Sequence, residues 1–170
     1  MAHVKVVRRS MRPEEWTDLR FVWLQRGIYE EKFEITDLEI RDARQISEDQ
    51  YEYYSDEYRP LKKDDMYFTP DGTAFIRGHV QIPAHMKGKN IYFTLHTAAE
   101  MIVKINGKYV GGVDPNRERI LLNPYIDSDD LTIEIEAYNR SKPDDERNPA
   151  SLAHRGCRQI FEGAYLSTIR

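Results

Sequence analysis

The fold this sequence predicts is an antiparallel β-sandwich of jelly-roll type, preceded by a short N-terminal α-helix, and three observations predict it. From residue 72 onward, short runs alternate apolar and polar residues with period two, ten to twenty residues apart. Turn chemistry separates them: Pro70-Asp71-Gly72, Asn106-Gly107, Asp114-Pro115-Asn116. No helical period intervenes, so two sheets packed face to face are the architecture that buries such strands.

The elements follow in chain order. Pro13 followed by Glu14 and Glu15 is first-turn chemistry, because proline needs no donor there and acids favour the positive end of the helix dipole. Trp16, Leu19 and Trp23 then recur at helical spacing up to Gly27, which predicts a helix over about 13–26 whose tryptophans pack against the body. The chain divides into a helical extension at 1–30 and a sandwich domain at 31–170. Within FEITDLEIRDARQISEDQYEYYSDEYRPL the alternation at Phe33/Ile35 changes parity before Leu38/Ile40, so a bulge or turn at Thr36-Asp37 separates two strand pieces.

After Gly72, Ala74, Ile76, Gly78, Val80 and Ile82 take one face and Phe75, Arg77, His79 and Gln81 the other, up to Pro83. Ile91/Phe93/Leu95/Thr97 and Met101/Val103/Ile105 repeat the pattern, the latter running into the Asn106-Gly107 hairpin. Arg119 to Leu122 is a short piece, and Leu131, Ile133, Ile135 and Ala137 oppose Thr132, Glu134 and Glu136. The last strand is read over 158–169. The connection 139–157, rich in Pro, Asp and Arg, exceeds the usual length for a compact domain and is the expected contact segment for a partner.

Composition excludes several functions. With Lys plus Arg 25 and Asp plus Glu 29, the net charge is 25 − 29 = −4, which offers no basic footprint for nucleic acid. The single cysteine, Cys157, rules out an internal disulfide framework and a Cys-rich zinc site, and fits a reducing, cytoplasmic compartment. No secretory signal follows the basic N-terminus, and the run Phe21-Val22-Trp23-Leu24 is far short of the roughly 20 residues that span a bilayer.

No motif supplies catalytic machinery. GxSxG, GxxxxGK[ST] and GxGxxG are absent. The histidines are His3, His79, His85, His96 and His154; none forms HExxH, and none has an acid two positions on. The tract holding Tyr51, Tyr53, Tyr54 and Tyr58 has the residues of a sugar-stacking platform, since tyrosine offers an apolar face and a hydroxyl. A strand edge or inter-domain surface uses the same residues and is preferred, because four tyrosines among acids need not share a face. Asp114, Asn116, Arg117 and Glu118 form a type I turn that could also present charge and hydrogen bonds to a hydroxyl-rich ligand or a neighbouring domain. With Tyr53, His154 and Arg155 they are the candidate ligand or interface residues.

One family shares the order of these features. GTAFIRGHVQIPAHMKGKNIYFTL, then MIVKINGKYVGGVD, then RILLNPYIDSDDLTIEIEAYN and finally RQIFEGAYL resembles the jelly-roll domain that precedes the catalytic domain in α-mannosidases of glycoside hydrolase family 38. The same layout occurs in galactose-binding-like domains attached to other glycoside hydrolases. The resemblance covers about 70–170. It implies a non-catalytic N-terminal domain that supports a downstream catalytic domain of the same polypeptide, with a natural chain that continues past Arg170. It also implies that zinc and the nucleophile belong to that later domain, because the family's zinc stretch contains His-x-Asp and this chain has none. Carbohydrate and a second copy of the chain are the other partners it allows.

Overall fold

The computed structural model describes residues 28–65, 72–96, 99–114, 117–138 and 161–169. The sequence-predicted helix at 13–26, the turn residues before Gly72, and the segment 139–157 lie outside the described residues. What is described is an antiparallel β-sandwich of eleven strands: β1 (Tyr29–Glu34), β2 (Leu38–Ser47), β3 (Gln50–Tyr53), β4 (Arg59–Pro60), β5 (Thr73–Gln81), β6 (Ile91–Leu95), β7 (Glu100–Ile105), β8 (Lys108–Val113), β9 (Arg119–Leu121), β10 (Asp130–Tyr138) and β11 (Ala164–Ile169). A small sheet runs β1-β11-β6-β9 and a large one β3-β2-β5-β10-β7-β8, with β4 beside β3 on β2. The chain changes sheet between β1 and β2, β5 and β6, β6 and β7, β8 and β9, β9 and β10, and β10 and β11. That repeated crossing makes the sandwich a jelly roll.

The parity change at Thr36-Asp37 is the first crossing, since β1 belongs to the small sheet and β2 to the large one. A strand that leaves one sheet for the other must turn its apolar side toward the shared interior again, so the alternation resets. Phe33, matched with Ile35 in the sequence pattern, departs from it: Ile35 is buried, but Phe33 on the outermost strand β1 stays 40% exposed. Strand β1 begins at Tyr29, two residues before the boundary drawn at 31.

The core lies between the sheets and takes the residues that the alternation selects. Ala74, Ile76, Val80 and Ile82, then Ile91, Phe93 and Leu95, then Met101, Val103 and Ile105, then Leu131, Ile133, Ile135 and Ala137 are all buried. On β10, Ile133 faces Gly78 of β5 and Ile105 of β7, and Ile135 faces Ile76 and Val103. A one-residue slip would expose three large aliphatic residues at roughly 1.5–3 kcal/mol each. Both flanking strands therefore fix one register.

Two strands escape the sequence pattern. The β2–β3 hairpin turns at Glu48-Asp49, and Asp49 takes φ +59 where no glycine marks the turn; a short Asx side chain tolerates the left-handed region. Strand β4 is only two residues long. Of the last strand's 158–169 pattern, 158–160 lie outside the described residues; in the rest, Gly163 at φ +104 breaks the extended run, and the ladder begins at Ala164. Phe161, just upstream, is buried and exchanges backbone hydrogen bonds with Asp64 and Asp65 instead, at 2.8 and 2.9 Å.

The Asn106-Gly107 turn has both residues at positive φ, +50 and +74, as a type I′ hairpin requires. Its asparagine does more than turn. Asn106 Oδ1 accepts from the Thr132 backbone N–H at 2.8 Å, and Asn106 N–H donates to the Thr132 carbonyl at 3.0 Å. The hairpin tip is thereby fastened to β10, and a spare donor of that strand is satisfied.

No helix among the described residues is long and apolar enough to cross a membrane.

Candidate functional site

The solvent face of the large sheet carries two adjacent rows of side chains. The inward positions of each strand are apolar, so the intervening residues must point outward, and the register decides which of them meet. One row runs Glu39, Arg77, Glu134, Lys104 and Tyr109 across β2, β5, β10, β7 and β8. The next runs Arg41, Phe75, Glu136, Ile102 and Gly112 over the same strands. Charge alternates in sign along the first row, and opposite charges directly across strands stabilise by about 0.2–1 kcal/mol a pair.

Aromatic rings hold the basic groups in place. The Arg77 guanidinium pairs with Glu39 at 2.7 Å and lies 4.0 Å from the centre of the Tyr58 ring. Arg41 lies 3.6 Å from the Tyr53 ring and 4.8 Å from Tyr58, while its Nε is buried with no hydrogen-bond partner. Ring stacking holds the Arg41 guanidinium against Tyr53 and Tyr58. Phe75 is met edge-on by Tyr51 at 4.9 Å and at a tilt by Tyr53 at 5.6 Å. Tyr51, Tyr53 and Tyr58 thus converge on one face around Phe75, Arg41 and Arg77, with β3 forming the sheet edge; Tyr54 is exposed.

Between these rings and β8 lies an open groove of about 330 Å³, lined by Tyr58, Phe75, Arg77, Ile102, Lys104, Tyr109, Glu134 and Glu136. Tyr109 is 67% exposed and Ile102 is 52% exposed, so the far wall is apolar and solvent-facing. Lys104 Nζ sits 4.6 Å from the centre of the Tyr109 ring.

Tyr51 donates its hydroxyl to Glu136 Oε1. That bond, with burial and the carboxylate charge acting in the same sense, pushes the phenol up to about 12 from an ordinary 10.0. A pKa raised in the folded chain contributes stability in full below pH 10, and the contribution is lost as pH rises through about 12. Ultraviolet titration of phenolate absorbance should show one tyrosine ionising near pH 12, absent from Tyr51→Phe. A difference between the two proteins confined to pH 10 would contradict the Tyr51–Glu136 bond.

A second cluster lies on the outer face of the small sheet. Lys32 Nζ is 4.1 Å from the Tyr29 ring and 5.2 Å from Tyr165, and Arg119 is 5.6 Å from Tyr29. Burial lowers the Lys32 ammonium, with Glu118 opposing it, and burial raises the Tyr29 phenol, with Arg119 opposing. Beneath them Thr94 and Ser167 are fully buried and bond each other at 2.8 Å. Glu118 belongs here, its Oε2 lying 3.0 Å from His96 Nδ1.

The turn of Asp114 and Arg117 closes on itself. The two residues exchange backbone hydrogen bonds at 3.1 and 3.0 Å, and Arg117 Nε donates to Asp114 Oδ2 at 3.0 Å. Asn116, His154 and Arg155 lie outside the described residues. The structure therefore sets Tyr53 on the large sheet, Glu118 on the small one and Asp114–Arg117 in a turn, and does not bring these three places together. A further cleft of about 530 Å³ opens between Phe33 and Ile35 on one side and His79, Ile82 and Pro83 on the other. Among the described residues, no three His, Cys, Asp or Glu side chains are placed to share a metal ion.

Sequence reasoning missed the groove. Arg77 and Glu134 were assigned to solvent faces, but only the β5–β10–β7–β8 register aligns them with Lys104 and Tyr109. The signal available was the opposite charge at matching polar positions of adjacent strands.

A scan against protein-family models finds no match, and a search of curated proteins finds none. Among solved structures, the chain is similar to a β-D-glucuronidase from Dictyoglomus thermophilum, with TM-score 0.45 and 17% identity, over 83% of this chain and 29% of that one. It is also similar to a calcium binding mutant of Bacteroides uniformis β-glucuronidase 2, with TM-score 0.44 and 16% identity, over 81% of this chain and 18% of that one. The chain thus spans less than a third of the length of either protein.

Proposed function

We propose that this chain is a non-catalytic β-sandwich domain of a glycoside hydrolase, working within a cytoplasmic polypeptide and supporting its catalytic domain. The observation that carries the reading is the jelly-roll sandwich assembled in the order that the strand motifs anticipate, with MIVKINGKYVGG forming its β7–β8 hairpin. A domain of this kind contributes surface rather than reacting groups. Its faces pack on the catalytic domain and shape the approach to it, or a copy of it, and 139–157 is the segment proposed to make that contact. The narrower reading, an α-mannosidase parent whose zinc sits in the catalytic domain, rests on the motif resemblance over about 70–170.

Two measurements test this. The genomic reading frame should continue past Arg170 into a catalytic domain, and a stop codon there would remove the parent enzyme. The pure chain with added zinc should leave a chromogenic α-mannoside intact, whereas metal-dependent turnover above blank would overturn the non-catalytic role.

A further inference from the structure

We infer that the groove over β5, β10, β7 and β8 is a binding subsite for a neutral, hydroxyl-rich ring, a pyranoside of an oligosaccharide. The inference rests on the glycoside hydrolase reading only for the choice of probes; the groove's own chemistry selects the ligand class.

Charge balance comes first. The groove holds two cations, Arg77 and Lys104, and two carboxylates, Glu134 and Glu136. An anionic ligand would meet both carboxylates and a cationic one both bases, so the balance favours a ligand without net charge. Geometry comes next. Glu134 stands directly across from Arg77 on one side and Lys104 on the other, placing an acceptor between two donors in a single cross-strand row. Neighbouring hydroxyls on a sugar ring each donate and accept, and this interleaving serves both roles. Then the apolar side: Tyr109 and Ile102, the most solvent-exposed apolar residues of the groove wall, offer a flat surface for the C–H face of a pyranose. Lys104 lies over one face of the Tyr109 ring, and the ring as a whole stays 67% exposed.

The site is also held ready. Arg77 is fixed by Glu39 and Tyr58, and Glu136 is fixed by the Tyr51 hydroxyl, leaving its second oxygen for a ligand. Groups already held in position lose little freedom on binding.

The experiment is titration of the full chain, by calorimetry and by amide chemical shifts, against mannobiose, cellotriose and xylotriose, with glucuronic acid as an anionic control. At least one neutral sugar should bind saturably, with shifts centred on β7, β8 and β10. Tyr109→Ala and Glu134→Gln, both at exposed positions, should each weaken binding at least tenfold while the chain stays folded, the unfolding midpoint falling only by the small amount that the lost cross-strand contacts contribute. Binding that survives both variants, binding only of the acid, or no binding by any neutral sugar would overturn the subsite. Each of these outcomes leaves the reading frame past Arg170 to judge the parent enzyme separately. Binding of xylotriose or cellotriose but not mannobiose would support the groove while counting against the mannosidase.

Discussion

Phe93→Ala should lower the free energy of unfolding by about 3–5 kcal/mol, the usual cost of removing a fully buried aromatic ring. Phe93 is central in the small sheet, facing Leu166 of β11 and Ile120 of β9, and none of its surface reaches solvent. Deleting the ring leaves a void bounded by two strands whose positions are set by their own ladders, so the site cannot collapse to fill it. In urea the midpoint should fall with little change in slope, and the melting temperature should drop by roughly 2–4 °C for each kcal/mol. A loss under 1 kcal/mol would mean that the two sheets close over the gap and that the interior is less rigidly built than its register implies.

Gly78→Ala should cost about 3 kcal/mol, the upper end of what overpacking commonly costs. A Cβ at this position would lie 2.4 Å from the Asp37 carbonyl oxygen and 2.4 Å from Leu38 Cδ2. The leucine could rotate, but the carbonyl is backbone and accepts the His79 N–H at 3.1 Å. Relief therefore requires β2 and β5 to part at the point where the chain has just crossed from the small sheet. Hydrogen exchange should show the β2–β5 ladder opening first in this variant. Protection unchanged from the parent protein at Ile76 and Ile40 would refute that account.

Both residues show what was legible in the sequence. Phe93 stands at an inward position of a clean alternation, and the large apolar residues at such positions on β5, β6, β7 and β10 proved buried. The Asn106-Gly107 turn was equally plain, because few residue pairs accept two positive φ values. Gly78 was assigned to the right face, yet its tight contact with Asp37 belongs to a neighbour forty residues away. The Glu48-Asp49 turn was missed because aspartate leaves the left-handed region open without demanding it. Candidate sites were harder still: Tyr53, Asp114 and Glu118 are each recognisable as polar or aromatic surface, and their separation onto different parts of the sandwich follows from strand order alone. The groove depends on the pairing of four strands, and register between strands is recorded in no single stretch of chain.

The rims of the two sheets bear on behaviour in concentrated solution. Strand β1, on the rim of the small sheet, reads YEEKFE and has a register irregularity between Tyr29 and Glu31; β9, on the opposite rim, is three residues long. On the large sheet, β3 has four residues, and β8 pairs with β7 through a shift at Val103/Lys104. Each rim is charged, short or irregular, and such strands make poor templates for another molecule's backbone. Strand-to-strand polymerisation through these rims is thereby discouraged.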